Sequence, residues 1–360
     1  MTIVIRVDAS IQIGSGHVMR CLTLADELNQ LGEEIIFICR ELNGHMAAAI
    51  TQRGYQTKLL PPLSDNSKDA RSGSSNTVSL KYSWQKDAAD VIECLDGLMI
   101  PWLIVDHYDL DHKWQTELRP HCEKIMVIDD LADRVLDCDM LLDQTHGRPS
   151  DAYRSLTSPH CHRLLGARFA LLRPEFQQLR TAALQKRNKF DGLKDILVFV
   201  GGADPDNLTG AILDLLSDIN WEQRPKVTVV IDAQTPIIEK LHNDTMHYRL
   251  PVAILKEVTN MATLMLSADL SIGAAGTTSW ERCALGLPSL ITVLEKNQEF
   301  NAKALHDAGA AVVWKSMDDL KRHIEKLDQD RWFEMSTASA KICDGNGCHR
   351  VAREIYAAES

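Results

Sequence analysis

The sequence predicts an α/β protein made of two doubly wound, Rossmann-like domains. Short apolar runs alternate with amphipathic stretches along most of the chain, the pattern of parallel strands covered by helices on both faces. The alternation forms two similar arrays, one in each half. At 360 residues the chain is also long for a single hydrophobic core, which favours two domains on surface-to-volume grounds.

In the first half, strands are predicted at residues 3–7, 35–39, 57–60, 102–105, 125–128 and 140–142. The first run is broken at once by Asp8-Ala9-Ser10. Val18, Met19, Leu22, Ala25, Leu28 and Leu31 then recur at helical spacing, so a helix follows. In the second half, strands are predicted at 196–200, 227–231, 270–272, 289–292 and 311–313, with a weaker one near 248–254. The polar, basic stretch 181–193 carries no strong period and reads as a linker, which sets domains at 1–180 and 181–345. A last helix near 346–358, within a tail of 346–360, fits either domain by its pattern, including packing back on the first. Residues 61–81 are rich in Pro, Ser, Asn and Asp. Such a segment buries little surface and reads first as a surface loop, second as a lid.

Composition narrows the function classes. An apolar fraction of 45% and a charged fraction of 25% are those of an ordinary soluble protein. With 39 basic against 50 acidic residues the net charge is −11, which argues against a nucleic-acid partner, since that needs a basic face. A phosphorylated ligand stays open, because helix N-termini hold phosphate without Lys or Arg. No apolar run reaches bilayer length, so no membrane insertion is expected. The N-terminal apolar run is short and interrupted by Arg6 and Asp8, so no secretory leader is expected. Nine cysteines without framework spacing read as reduced thiols of a cytoplasmic protein. Cys343-Asp-Gly-Asn-Gly-Cys348-His349 lacks an evident fourth ligand and paired knuckle, so it reads as a helix-cap loop and no metal is expected.

Five constellations, each at the carboxyl end of a predicted strand, carry the chemistry. Gly14-Ser15-Gly16-His17 with Arg20 imitates the dinucleotide fingerprint but lacks the third glycine, and the second strand closes on Cys39-Arg40 instead of an acidic residue. His17 begins a helix, where the imidazolium is disfavoured, so a neutral, proton-accepting ring is expected there. A capping or packed imidazole is the alternative. Gly273-Ala274-Ala275-Gly276-Thr277-Thr278-Ser279-Trp280-Glu281 offers backbone N–H groups and hydroxyls to a phosphate. Glu281 lies about one turn on, where it is able to accept from a ribose diol. A capped helix start is the alternative. Gly201-Gly202-Ala203-Asp204 follows the strand at 196–200, where open α/β sheets bind ligands; a plain turn in which Asp204 or Asp206 caps the next helix is the simpler reading. Asp106-His107-Tyr108-Asp109 gathers polar groups at a fourth strand end. Asn297 and Gln298 are surface amides or the wall of a sugar pocket.

On these motifs the second half resembles the nucleotide-sugar half of a GT-B fold, similar to the undecaprenyl-linked GlcNAc transferases of peptidoglycan synthesis. The carriers are Val258-Thr-Asn-Met261, Gly273 through Glu281, Gly286-Leu-Pro288 and Asn297-Gln298…Asn301-Ala302. Adding Arg6-Val-Asp8-Ala-Ser10, Ile13 through Cys21, Asp106-His-Tyr108, Ile128-Asp-Asp130 and Leu172-Arg-Pro-Glu-Phe176, the whole chain resembles the UDP-2,4-diacetamido-2,4,6-trideoxy-β-L-altropyranose hydrolases of pseudaminic acid synthesis. The resemblance implies two domains facing across a cleft and metal-independent hydrolysis with inversion at the anomeric carbon. No cofactor and no obligate protein partner are implied, only a UDP-activated diacetamido sugar. His17 would be the general base. Tyr108 and Asn297 would orient sugar or water. Ala275, Gly276, Thr277 and Thr278 would hold the diphosphate, Glu281 the ribose, and Val258 would flank the uracil. Gly14 would let the first domain approach the pyrophosphate. Gly16, Arg20, Asp106, Gly201, Gly202 and Gln298 complete the expected ligand contacts. A GT-B glycosyltransferase, a UDP-sugar C2-epimerase and a non-catalytic UDP-sugar binding protein are the alternatives.

Overall fold

Thr2–Val7 (β1), Glu34–Arg40 (β2), Gln56–Leu60 (β3), Ile100–Asp106 (β4), Cys122–Ile128 (β5), Met140–Asp143 (β6) and His162–Leu165 (β7) form one all-parallel sheet. Its order is β3-β2-β1-β4-β5-β6-β7. The computed structural model describes residues 1–62, 83–201, 204, 206–231, 241, 245–256 and 258–358. Most of the segment 61–81 therefore lies outside the described residues. The strand predictions of the first half hold to within a few residues, and β7 is the addition. Only Leu164 of β7 is buried, so this edge strand gives no apolar run to read.

The pleat sends alternate residues of β1 into two cores. Ile3, Ile5 and Val7 pack with Leu24 and Leu28 of helix Gly16–Gln30 (α1). Val4 faces the other side, with Val91 of Trp84–Leu95 (α3) and Trp114 of His112–Leu118 (α4). The short helix Ala47–Gln52 (α2) lies between β2 and β3 in the chain. Burial on both faces is what a parallel sheet requires.

Asp195–Phe199 (β8), Lys226–Ile231 (β9), Val252–Lys256 (β10), Leu270–Ala274 (β11), Ser289–Thr292 (β12) and Ala311–Val313 (β13) make a second parallel sheet, ordered β10-β9-β8-β11-β12-β13. Its helices among the described residues are Pro174–Lys186 (α5), Leu208–Asp218 (α6), Met261–Ser267 (α7), Thr278–Ala284 (α8), Glu299–Asp307 (α9), Met317–Glu325 (α10) and Gln329–Ile342 (α11). The final helix, Gly347–Ala357 (α12), rejoins the first unit, so the compact units are Met1–Leu171 with Gly347–Ser360, and Leu172–Asn346.

Two details explain that division. Residues 181–186 of the expected linker are the last turns of α5, and the buried Arg187 donates from Nη2 to Met265 O at 2.8 Å. Basic residues there anchor backbone carbonyls of the second unit. At the other end, Val351, Ala352 and Ile355 enter the first core, and Cys348 Sγ donates to Thr23 O at 3.3 Å. A Cβ on Gly347 would meet Ala170 O at 2.3 Å, so only glycine lets α12 start against that turn.

Candidate functional site

In each sheet the strand order reverses once, at β1/β4 and at β8/β11. Open α/β sheets bind ligands outside the carboxyl ends of strands at such a switch point. In the first unit the register sets Val7 beside Asp106, so the β1–α1 loop and the end of β4 share one edge.

His17 and Arg20 stand one helical turn apart on α1 and both reach Asp106. His17 Nδ1 lies 2.6 Å from Asp106 Oδ1. Arg20 donates from Nε to Oδ2 at 2.6 Å and from Nη2 to Oδ1 at 2.6 Å. Asp106 is 1% exposed. Burial alone would raise its pKa, but Arg20 and then His17 outweigh that and hold it well below the usual carboxylate range. The carboxylate is therefore ionised and only accepts, which assigns the shared proton to Nδ1. Arg20 Nη2, 3.1 Å from Nδ1, is then a neighbour of that N–H, since a lone pair facing a carboxylate at 2.6 Å would be repelled. In the neutral ring Nε2 then carries the lone pair. Carboxylate–imidazole pairs fix tautomer and ring orientation in this way.

Tyr108 closes one side of the imidazole, edge-on, with ring centroids 4.8 Å apart. Its hydroxyl donates to Asp130 Oδ1 at 2.7 Å, and Arg20 Nη1 donates to Asp130 Oδ2 at 3.3 Å. Burial, with the Asp130 charge beside it, pushes the phenol well above its ordinary pKa, so Tyr108 stays protonated. Arg20 and Asp106, expected on the ligand, bond each other and His17, and Arg20 also reaches Asp130. Gly14 has φ of +79° and donates its N–H to Ser10 O. A Cβ on Gly14 or Gly16 would meet nothing within 4 Å, so neither glycine is required by internal packing around its Cβ.

Beneath this edge lies a buried ionic cluster that sequence reading missed. Arg6 donates to Asp8 (Nη1–Oδ1 2.5 Å) and to Asp87 (Nη2–Oδ2 2.7 Å). Arg40 joins Asp87 at 2.7 Å and Asp90 at 2.9 Å, and Trp114 Nε1 donates to Asp87 Oδ1 at 3.0 Å. The Arg40 backbone N–H donates to Asp8 Oδ1 at 2.7 Å, which fixes the exit of β1 against the end of β2. The sequence does place charge at both strand ends. Its pairing with α3, 81 residues from Arg6, has no local signal.

In the second unit Gly273 lies opposite Phe199, and a Cβ there would sit 2.0 Å from Phe199 O. Only glycine permits that approach at the switch point. The loop that follows refines the expected phosphate cradle. Ala275 is fully buried and donates its N–H to Thr292 O at 3.0 Å, while its carbonyl accepts from Asn301 Nδ2 at 3.2 Å. Ala275 extends the β11–β12 ladder and has no N–H left for a ligand. The N–H groups of Gly276, Thr277 and Thr278, by contrast, have no hydrogen-bond partner among the described residues.

Glu281 keeps 18% of its side chain exposed, with Oε1 3.6 Å from Arg173 Nη2. Burial pushes its carboxyl up to about 7, against the opposing pull of Arg173 and Arg282. Gln298 Oε1 accepts from Leu294 N at 3.1 Å, and its Nε2 is the near neighbour of Gly276, 3.8 Å from where a Cβ would stand. Asn297 is exposed and makes no hydrogen bond among the described residues. Val258 is half-buried beyond β10. Gly201 has φ of +116° with open space beside it, whereas Gly202 lies outside the described residues. Asp204 takes the simpler of its two readings. Its carboxylate accepts from Leu208 N at 2.8 Å and Thr209 N at 3.0 Å, capping α6.

Among the described residues no group of three or more His, Cys, Asp or Glu is arranged to hold a metal ion. Cys343 belongs to the second unit and Cys348 and His349 to the first, and His349 Nδ1 lies 2.9 Å from Glu27 Oε1. No described helix is long and apolar enough to cross a membrane.

Residues 195–347 match the glycosyltransferase family 28 C-terminal domain, which begins at β8 and ends at the start of α12. An uncharacterized protein of Methanocaldococcus jannaschii is 26% identical over 83% of this chain and 56% of its own. The chain thus spans only about half of that relative. The UDP-2,4-diacetamido-2,4,6-trideoxy-β-L-altropyranose hydrolase of Campylobacter jejuni is 26% identical over 88% of this chain and 100% of its own. Among solved structures, Acinetobacter baumannii MurG superposes with a TM-score of 0.72 at 15% identity, covering 99% of both chains. The chain has the GT-B fold. Its two parallel α/β units are those of that fold, as the motifs led us to expect.

Proposed function

We propose that this protein hydrolyses a UDP-linked 2,4-diacetamido-2,4,6-trideoxyhexose to the free sugar and UDP, with inversion at the anomeric carbon. The observation that carries the reading is the contact between His17 and Asp106. With Nδ1–H committed to an ionised Asp106 at 2.6 Å, Nε2 is the basic atom of the neutral ring, and it stands at the kind of strand edge where open α/β sheets bind ligands. Support comes from the hydrolase-named relative aligned along its full length.

In this reading the second unit holds UDP and the first supplies the base. The unpartnered N–H groups of Gly276, Thr277 and Thr278 donate to the diphosphate. Glu281 accepts from the ribose diol, Val258 flanks the uracil, and the free amide of Asn297 with Tyr108 orients sugar or water. Nε2 of His17 takes a proton from water as the water oxygen bonds to the anomeric carbon. The bond from that carbon to the diphosphate oxygen breaks on the opposite face, and UDP leaves with the electron pair. UDP is a stable leaving group, so no second carboxylic acid is needed to protonate it.

A transferase is the second reading, favoured by the family 28 match over residues 195–347. Incubating the purified protein with the UDP-sugar separates the two. UDP release without an acceptor supports hydrolysis, and release only with an acceptor supports transfer. Proton NMR of the first-formed anomer tests inversion.

Glu281 gives a pH test of the UDP half. Ligand hydroxyls donating to its carboxylate favour ionisation, so UDP should pull down a pKa that burial holds at about 7. UDP binding near pH 6 should release a proton, and the dissociation constant should rise as pH falls below about 7. Titration calorimetry in two buffers of different ionisation enthalpy reads the proton count. Glu281→Gln should abolish the release, and an unchanged count in that variant would take Glu281 off the ligand.

A further inference from the structure

Arg282 is among the buried charges that the mechanism above leaves unused. Arg282, on α8, is 2% exposed. Its Nη2 donates to Ala274 O at 2.5 Å and to Ser279 Oγ at 2.9 Å, while its Nε is buried with no acceptor among the described residues. Among the described residues no carboxylate pairs with it. A guanidinium does not shed its proton in a protein, and burying an uncompensated charge is costly. Burial pushes Arg282 down to about 10, the opposing pulls being Cys283 and Glu281. Glu281, itself held at about 7, is part-neutral at neutral pH and offsets the cation incompletely. The absence of a side chain at Gly273 makes room for this group, since a Cβ there would lie 3.2 Å from Nη1. An unneutralised cation thus bonds the carbonyl that begins the loop carrying the free N–H groups of Gly276, Thr277 and Thr278.

We infer that Arg282 is a positioning residue for the phosphates of the nucleotide, its buried charge adding to the loop N–H groups a preference for two phosphates over none. The inference rests on the reading that the second unit holds UDP. The cation and the loop donors then complete each other. The loop shields Arg282 from water, where its field would be screened, and the incoming diphosphate supplies the missing negative charge at low effective dielectric. The guanidinium acts through the loop and touches no substrate atom.

The test is the ratio of UDP to uridine affinity, measured by titration calorimetry on the full chain for wild type, Arg282→Gln and Arg282→Lys. The Gln variant should weaken UDP by about tenfold to hundredfold, from the Coulomb energy of one charge at an intermediate dielectric, with uridine changed by less than about threefold. The Lys variant, which keeps the charge, should restore most of the ratio. Ser279→Asp is a second route that spares Arg282. It sets a carboxylate at the position Nη2 already bonds and should lower the ratio in the same sense even if the Gln variant does not fold. A wild-type ratio retained in Arg282→Gln or in Ser279→Asp overturns the inference, as does a Lys variant that falls as far as Gln. A wild type that binds neither UDP nor uridine overturns the UDP reading itself, and the inference with it.

Discussion

His17→Phe should lower turnover of the UDP-sugar by about 10²–10⁴-fold, the usual worth of a general base, while UDP binds within about twofold of wild type. Phenylalanine keeps an aromatic ring beside Tyr108, now 4.8 Å away, and removes the basic Nε2 together with the Nδ1–H bond to Asp106. UDP affinity is spared because its proposed donors, Gly276, Thr277 and Thr278, belong to the other unit. Asp106→Asn is the companion variant. An amide cannot accept through both terminal atoms, so it cannot serve Arg20 and Nδ1–H together. Loss of the tautomer should cost turnover on a similar scale, again with UDP affinity held. Single-turnover kinetics beside UDP calorimetry read both quantities. A His17→Phe protein with near-normal turnover removes His17 from the mechanism, and an Asp106→Asn protein with near-normal turnover removes the tautomer argument.

Asp87→Ala should be the most damaging single change to the stability of the first unit. Asp87 is fully buried and shared by Arg6 and Arg40 at 2.7 Å each. Removing it takes away the carboxylate that Arg6 and Arg40 share, leaving Arg6 only Asp8 and Arg40 only Asp90 as charged partners among the described residues, and strips the Trp114 indole N–H of its acceptor. Loss of one partner from a buried pair typically costs about 3–5 kcal/mol, and urea unfolding followed by tryptophan fluorescence should show it. The pH dependence has a definite sign. Burial would raise the Asp87 pKa, but Arg6 and Arg40 outweigh it and lower it below the ordinary carboxylate value. Its contribution is therefore fully present above an unfolded pKa of about 3.9, and is lost as pH falls through the lower folded value. The gap between wild type and Asp87→Ala should stay constant from neutral pH to about pH 4 and narrow only below that. A gap that closes between pH 7 and pH 5 would assign the stabilisation to another group.

Local patterns carried most of the fold. Both arrays of strands were legible because parallel strands buried on both faces are near-continuous apolar runs, as Ile100–Val105 is and as Ile3–Val7 is but for Arg6. β7 escaped because a polar edge strand with one buried residue gives no such run. The α5 linker misled for the opposite reason. Its basic residues look solvated, yet Lys186 and Arg187 extend to carbonyls of Ser267 and Met265. The motifs placed His17 and the Gly273–Glu281 loop at strand ends, which glycine spacing and helix-start signals encode. They did not reveal which groups in them are free. Ala275 and Gly276 look alike in sequence, and only the β11–β12 register spends one N–H and spares the other.

The sequence by itself determined the two parallel α/β arrays and the strand-end turns that carry His17, Asp106 and Glu281. Hydrophobic periodicity and glycine placement are local properties that neighbouring residues specify. Tertiary structure alone decided the partners. Asp106 meets His17 and Arg20 from 89 and 86 residues away, Arg6 finds Asp87, and Arg282 is sealed with no paired carboxylate among the described residues. A charge's neighbours depend on which strands lie side by side, and that order is set by packing across the whole sheet. Protonation state, tautomer and electrostatic preference follow from those neighbours, so they could be read only from the folded chain.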